Sequence, residues 1–205
     1  MPPRTAERIL AAAEQLFAER GYEATSLGEI ADRVGIRPQA IYNHFESKWR
    51  LYEAVLERLL DPFLRFLDGA LAHPPSAARG AESLAAEIAF HAANPNLARL
   101  VQHAALAGGP QLALLIERWY RPFFQRALLL APEENAIVKA DPALLQWLVT
   151  GMHGLVLGYA TLAPLHRELL GIDPFSPEAI ARQAQFLREL LRVLDGRAPG
   201  RIERP

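Results

Sequence analysis

The stretch from Arg33 to Arg50 carries Arg33, Arg37, Lys48 and Arg50 against the single acid Glu46, a local balance of +3 in a chain of formal net charge −1. Gln39, Ala40, Tyr42, Asn43 and His44 stand among those cations. This mixture suits a nucleic-acid edge. Cationic side chains and hydroxyls meet phosphates, Gln and Asn pair with adenine, Arg pairs with guanine, and an alanine methyl can meet a thymine methyl. Through residue 60 the acids slightly outnumber the bases, so positive charge is confined to this one interval. Such a distribution disfavours indiscriminate coating of DNA and favours a single docking face.

Other chemistries find little support. HExxH, GxSxG, GxxxxGK[ST] and GxGxxG motifs are all missing, which argues against the enzymes they mark. The six histidines, at positions 44, 73, 91, 103, 153 and 166, show no ligand-like spacing with one another or with carboxylates. Neither a metal nor a cofactor is therefore expected. With no cysteine there is no disulfide framework, thiolate zinc site or cysteine nucleophile, and a reducing, cytoplasmic setting beside the nucleoid fits. The opening Met1-Pro-Pro-Arg-Thr-Ala-Glu-Arg is charged and then periodic, unlike a signal peptide. At 205 residues and 51% hydrophobic content, the chain can build one large domain or two smaller ones.

The elements that must position the basic interval read as helices throughout, giving an all-α fold class. Ile9, Leu10, Ala13, Leu16 and Phe17 form the stripe of a first helix ending near Gly21. Ser26 and Glu29 stand in capping-box register for a short second helix with Leu27, Ile30, Ala31 and Val34 inside, stopped by Gly35. Pro38 suits the first turn of a third helix running through Phe45. Ser47 caps a fourth, which Asp61-Pro62 either kinks or divides. Further helices are expected near 62–72, 76–93, 96–107, 110–130, from Asp141-Pro142 to Ala163, and from Ser176-Pro177 to Leu194.

Helix, tight glycine turn, helix over residues 26–45 is the helix-turn-helix pattern, whose second helix enters the major groove. Arg8 to Ala13, Leu16-Phe17, Gly21-Tyr22, Thr25-Ser26-Leu27, Ile30-Ala31, Val34-Gly35-Ile36 and Ile41-Tyr42-x-His44-Phe45-x-Ser47-Lys48 keep one register. Residues 4–51, a quarter of the chain, thereby resemble the N-terminal DNA-binding domain of the tetracycline-repressor (TetR) family of bacterial regulators. The resemblance implies a homodimer on a palindromic double-stranded operator. It also implies that Tyr42, His44 and Lys48 grip the DNA backbone. Thr25 and Ser26, at a helix N-terminus, can hold a phosphate, and Arg37, Gln39, Ala40 and Asn43 can meet base edges. Trp49 stands where this family more often has an acidic or small residue. It fits either against helix one or on the DNA flank.

The implied organisation is a DNA-binding domain at 1–50, a helical ligand-binding and dimerisation domain at 51–197, and a tail at 198–205. In the larger domain Phe90, His91, His103, Trp119, Tyr120, Phe123, Phe124, Trp147 and His153 have the mixed apolar and polar character of a small-molecule pocket. Leu144 to Ala163 carries no formal charge over twenty residues, yet Gln146, Thr150, His153 and Thr161 argue against a membrane span. A helix apolar all round instead faces both an interior and a partner. Gly151, Gly154 and Gly158 would admit a close backbone, and Ile180, Ala184, Leu187 and Leu191 form a second stripe. Together they suggest a four-helix dimer interface. The reading is a homodimeric regulator, expected to repress, released by a small apolar or amphipathic effector, with Asp61-Pro62 as a route between the halves. The alternative is an effector-independent architectural DNA-binding protein of the same fold.

Overall fold

The computed structural model describes residues 5–73, 77–130 and 136–194. The expected tail at 198–205 and the break at Pro74-Pro75 lie outside those residues. Among the described residues every regular element is helical. They are α1 (Thr5–Arg20), α2 (Leu27–Val34), α3 (Pro38–Ile41), α4 (Lys48–Leu71), α5 (Ala77–Ala93), α6 (Pro95–Ala107), α7 (Gly109–Leu115), α8 (Arg121–Leu130), α9 (Ala136–Ala140), α10 (Leu145–Thr161), α11 (Ala163–Leu170) and α12 (Pro177–Leu194).

Two compact units emerge from the packing. Residues up to Pro62 pack with Asn94–Trp119, and Phe63–Ala93 packs with the chain from Tyr120 onward. The first unit buries the α1 stripe (Ile9, Ala13, Leu16, Phe17) with Ile30, Ala31, Val34 and Ile41 and with Leu51, Val55 and Leu56 of α4. Leu97, Leu100 and Ala104 of α6 are also buried, and α6 packs on α1. Polar ties run between the same elements: Asn96 Nδ2 donates to Glu14 at 2.9 Å and Gln111 Nε2 to Glu23 at 2.8 Å. By contact, then, α6 and α7 go with the N-terminal helices.

The second unit is organised around Leu84, Ile88, Met152, Val156, Ala184 and Leu187, supplied by α5, α10 and α12. A smaller cluster joins Phe63, Leu67 and Leu130, with Phe90 and Phe123 packed on it.

Several boundaries differ from expectation. Pro62 lies inside a continuous α4, and Asp61 caps nothing there; its carboxylate accepts from Trp119 Nε1 at 2.8 Å. The expected helix at 110–130 is interrupted by one π-helical turn, Ile116–Tyr120. That wider turn sits just before Pro122, which has no N–H to give and whose ring crowds the carbonyl four residues earlier. Near Asp141 the chain enters through a 3₁₀ turn, Pro142–Leu144, with Asp141 accepting from the Ala143 N–H at 2.9 Å. After α10 a separate α11 starts beside Pro164 and ends at Gly171, where φ is +63°.

Candidate DNA interface and ligand site

The turn that presents the basic interval is built by local signals. Ser26 has extended backbone, its Oγ accepts from the Glu29 N–H at 3.2 Å, and Glu29 Oε2 accepts from the Ser26 N–H at 2.9 Å. That reciprocal cap satisfies two N–H groups that α2 alone leaves unpaired. The Glu29 carboxyl is held below its usual range, first by the Ser26 N–H and hydroxyl and then by Arg20. Gly35 ends α2 in the left-handed conformation at φ +74°, where a side chain would be strained. Arg37 then extends the chain and Pro38 opens α3.

Regular helix stops at Ile41, short of the expected Phe45. The path continues as a turn, with the N–H groups of His44 and Phe45 both donating to the Ile41 carbonyl at 2.9 Å. Ile41 is fully buried, whereas Phe45 is only half-buried and Tyr42, Asn43 and His44 are exposed. One buried anchor holds one turn. Arg37 and Gln39 are exposed, Ala40 is half-buried, and Tyr42 retains 57% of its surface.

Two parts of the expected interface are corrected by their partners. Thr25 is 1% exposed, and its hydroxyl donates to the carbonyls of Gly21 (2.8 Å) and Leu16 (3.2 Å). It ties α1 to the following turn and offers no free hydroxyl to a phosphate; Ser26, next to it, is the cap. The +3 interval is also partly neutralised. Arg33 lies 4.0 Å from Glu19 and donates to Gln15, and Arg50 pairs with Glu53. Among the described residues this leaves Arg37 and Lys48 as the cations of the interval that no carboxylate pairs. Lys48 Nζ sits 4.2 Å over the Tyr22 ring and 3.4 Å from the Glu23 carbonyl, which orients its ammonium at the start of α4. Trp49 packs inward, edge-on to Tyr22 at 5.6 Å and against Tyr52 at 6.1 Å. Burial, and secondarily Tyr22, pushes the Tyr52 phenol up to about 12.

In the second unit, six of the nine expected pocket residues come together. The His153 ring stands 4.9 Å from Phe123, 5.5 Å from Tyr120 and 5.7 Å from Phe124, centroid to centroid. His91 lies 6.2 Å from His153 and 5.6 Å from Phe90. Glu87, which sequence reasoning missed, is buried among them with Oε1 2.5 Å from His153 Nδ1; Tyr120 Oη is 3.3 Å from His153 Nε2. Burial pushes the His91 imidazole down to about 4; the Glu87 carboxylate opposes that shift and His153 adds to it. Burial and then Glu87 push the Tyr120 phenol up, so it stays protonated. The four-residue spacing of Glu87 and His91, one helical turn apart, is the signal that could have revealed them.

The other three residues are elsewhere. His103 lies in the first unit, where its Nδ1 would be 3.1 Å from a Cβ placed on Gly21. It lines a cavity of about 170 Å³ with Phe17, Tyr22 and Tyr52. Trp119 is fully buried in that unit, bonded to Asp61. Trp147 is 68% exposed on α10. Also unforeseen is an open cavity of about 510 Å³ framed by Tyr159, His166, Leu170, Arg182 and Phe186.

The expected dimer stripe on α12 is corrected as well. Leu187 is 0% exposed and Ala184 buried with it against α5 and α10 of the same chain, with Ile180 and Leu191 packed on that cluster. The outward apolar residues of α12 are Phe186 and Val193. On α10, Met152, Val156 and Ala160 face inward. Trp147, Gly151, Gly154 and Leu155 are exposed, and a Cβ on Gly151, Gly154 or Gly158 would meet nothing within 4 Å. Pro142–Thr161 is long and apolar enough to cross a membrane, and 17% of its apolar window is buried within the chain.

Residues 9–55 match the model of the family described as Bacterial regulatory proteins, tetR family. Over 61 residues the chain is 48% identical to the HTH-type transcriptional activator FasR of Mycolicibacterium smegmatis, covering 29% of this chain and 28% of that one. Over 60 residues it is 40% identical to the HTH-type transcriptional repressor KstR2 of the same organism, covering 29% of each. The matches thus span less than a third of these relatives' length. The fold is similar to that of FadR from Bacillus subtilis in complex with stearoyl-CoA, with a TM-score of 0.65 at 18% identity, over 90% of this chain and 96% of that chain. An all-helical chain with a capped helix-turn-helix near its start defines a class of DNA-binding regulators. Residues 9–55 of this chain carry the N-terminal DNA-binding region of the TetR family of transcriptional regulators.

Proposed function

We propose that the chain acts as a homodimeric, ligand-responsive repressor that binds a palindromic double-stranded operator through the α3 turn. The observation carrying this reading is the joint exposure of Arg37, Gln39, Tyr42, Asn43 and His44 on and around α3, which follows a helix capped at both ends. Tyr42, His44 and Lys48 contact phosphates, which sets register and affinity. Arg37, Gln39, Ala40 and Asn43 meet base edges, which sets sequence preference. Ser26 acts indirectly, by holding the start of α2. With Arg33 and Arg50 already paired to protein acids, few phosphates are neutralised and the salt dependence is shallow.

Dimerisation uses the outer face of α10, Trp147, Gly151, Gly154, Leu155 and Gly158, with Phe186 and Val193 of α12. Glycines that face open space in the single chain let a partner's backbone approach closely. This face, rather than a lipid bilayer, explains an apolar helix so little buried by its own chain, and the protein works in the cytoplasm. Functionally the division is DNA binding at 1–50 and ligand binding with dimerisation at 51–197, with α6 and α7 of the latter packed on the N-terminal helices.

The effector is a small apolar or amphipathic molecule held by Phe90, Tyr120, Phe123 and Phe124, with His91 and His153 as polar contacts. The bound stearoyl-CoA of the fold-similar FadR is one instance of that chemical character. Effector must favour a state whose two recognition turns no longer match the half-sites. The test is operator selection from random duplex DNA, followed by titration of long-chain acyl compounds into the complex. The proposal expects a palindromic site and dose-dependent release. Tight binding without sequence preference, unaffected by any apolar compound, would instead match an architectural protein.

A further inference from the structure

Glu87, His91 and His153 each present one donor atom, and the three atoms lie within 4.8 Å of one another. Glu87 and His91 are one turn apart on α5, and His153 reaches them from α10. All three side chains are withdrawn from solvent: Glu87 and His91 are buried, His91 to 5% exposure, and His153 is nearly so. Hydrogen bonding within the chain leaves this group incomplete. Among the described residues, His91 Nδ1 is buried with no hydrogen-bond partner, a condition that native interiors rarely tolerate without a reason.

Two imidazoles and one carboxylate are a donor set for a divalent first-row transition ion, Zn²⁺ above all. We propose that Glu87, His91 and His153 form a three-ligand site for such an ion in the interior of the second unit.

Donor separations of a few ångströms need only small side-chain adjustments to reach Zn–N and Zn–O distances of about 2.0–2.2 Å. His153 Nδ1 stands 2.5 Å from Glu87 Oε1, and its other ring nitrogen, Nε2, stands 3.3 Å from the Tyr120 hydroxyl. Binding an ion would displace the proton that Nδ1 shares with Glu87, and Nε2–H could then donate to the Tyr120 hydroxyl, the usual outer-shell arrangement for a metal-binding histidine. Three protein donors leave a tetrahedral Zn²⁺ one open position, which water or an oxygen of a bound molecule can take.

The test uses the full chain, stripped with chelator and titrated with Zn²⁺ by calorimetry and with Co²⁺ by visible absorption. The proposal expects one ion per chain and intense four-coordinate Co²⁺ bands that Zn²⁺ abolishes. Even outer-shell losses at metal sites cost about 10–100-fold; Glu87→Gln and His91→Gln are therefore expected to weaken Zn²⁺ by roughly 100-fold or more. His166→Gln, outside the cluster, is expected to bind like the parent. No stoichiometric uptake, weak octahedral Co²⁺ bands, or unchanged affinity in Glu87→Gln and His91→Gln would overturn it. The Co²⁺ spectrum of the unaltered protein decides the matter even if a variant fails to fold.

Discussion

The two units solve opposite problems. In the first, the functional surface is exposed and positioned by neighbours in sequence: Ser26 with Glu29, Gly35, Pro38, and Ser47 accepting from the Arg50 N–H at 3.1 Å. In the second, the chemically distinctive cluster is buried, and its members come from separate helices, as with His153 and Glu87, 66 residues apart. Local caps can therefore be written into a short segment, whereas the buried cluster exists only once α5, α8 and α10 have packed. An exposed turn set by neighbours in sequence and a buried cluster set by tertiary packing thus rest on different kinds of information in one chain.

That contrast can be broken at several points. The largest stability effect is expected in the second unit's core. Leu187→Ala removes a side chain with no solvent exposure and should cost about 2–5 kcal/mol by denaturant unfolding. Gly154→Leu, on the open side of α10, should leave the fold of the single chain unchanged by circular dichroism while shifting the dimer toward monomer in sedimentation. A fall in monomer stability as large as that of Leu187→Ala would put Gly154 in the interior instead.

Smaller effects are expected at the caps of the first unit. Gly35→Ala forces a β-carbon into the left-handed region and should cost about 1–2 kcal/mol in thermal or chemical unfolding. Ser26→Ala removes one half of the reciprocal cap and should cost about 1 kcal/mol. The smallest effect is in pH. Because the Glu29 carboxyl is held below its ordinary value of 4.5, its contribution is present above the unfolded-state value and is lost as pH falls through the lower folded one. Acid titration of helicity should show this step in the parent and lose it in Glu29→Gln.

Legibility followed the same division. The helix-turn-helix was readable because its signals lie within a few residues of their targets. Even there, the register with Glu29 names Ser26 as the cap, but nothing in it says that the Thr25 hydroxyl turns inward to the Gly21 and Leu16 carbonyls. Periodicity on α12 correctly marked Ile180, Ala184, Leu187 and Leu191 as a buried face, but a period cannot name the covering surface, which proved to be α5 and α10. Aromatic identity was a weak guide for similar reasons: Trp119 joins Asp61 in one unit and Trp147 faces outward in the other. The Glu87–His91 spacing was visible along the chain; its meeting with His153 was not, because that depends on how two distant helices pack.

In the proposed function, the α3 turn and the start of α4 dock the protein on DNA. The most direct test of that docking is operator affinity, across a range of salt, for the Tyr42→Ala/Lys48→Ala double variant beside Asn43→Ala. The double variant is expected to lose affinity about equally for every sequence, with the salt slope reduced by about 1 for the lost lysine contact. Asn43→Ala should instead relax the preference at one base pair, by about 1–3 kcal/mol. Unchanged affinity and salt slope in the double variant would contradict the docking described here.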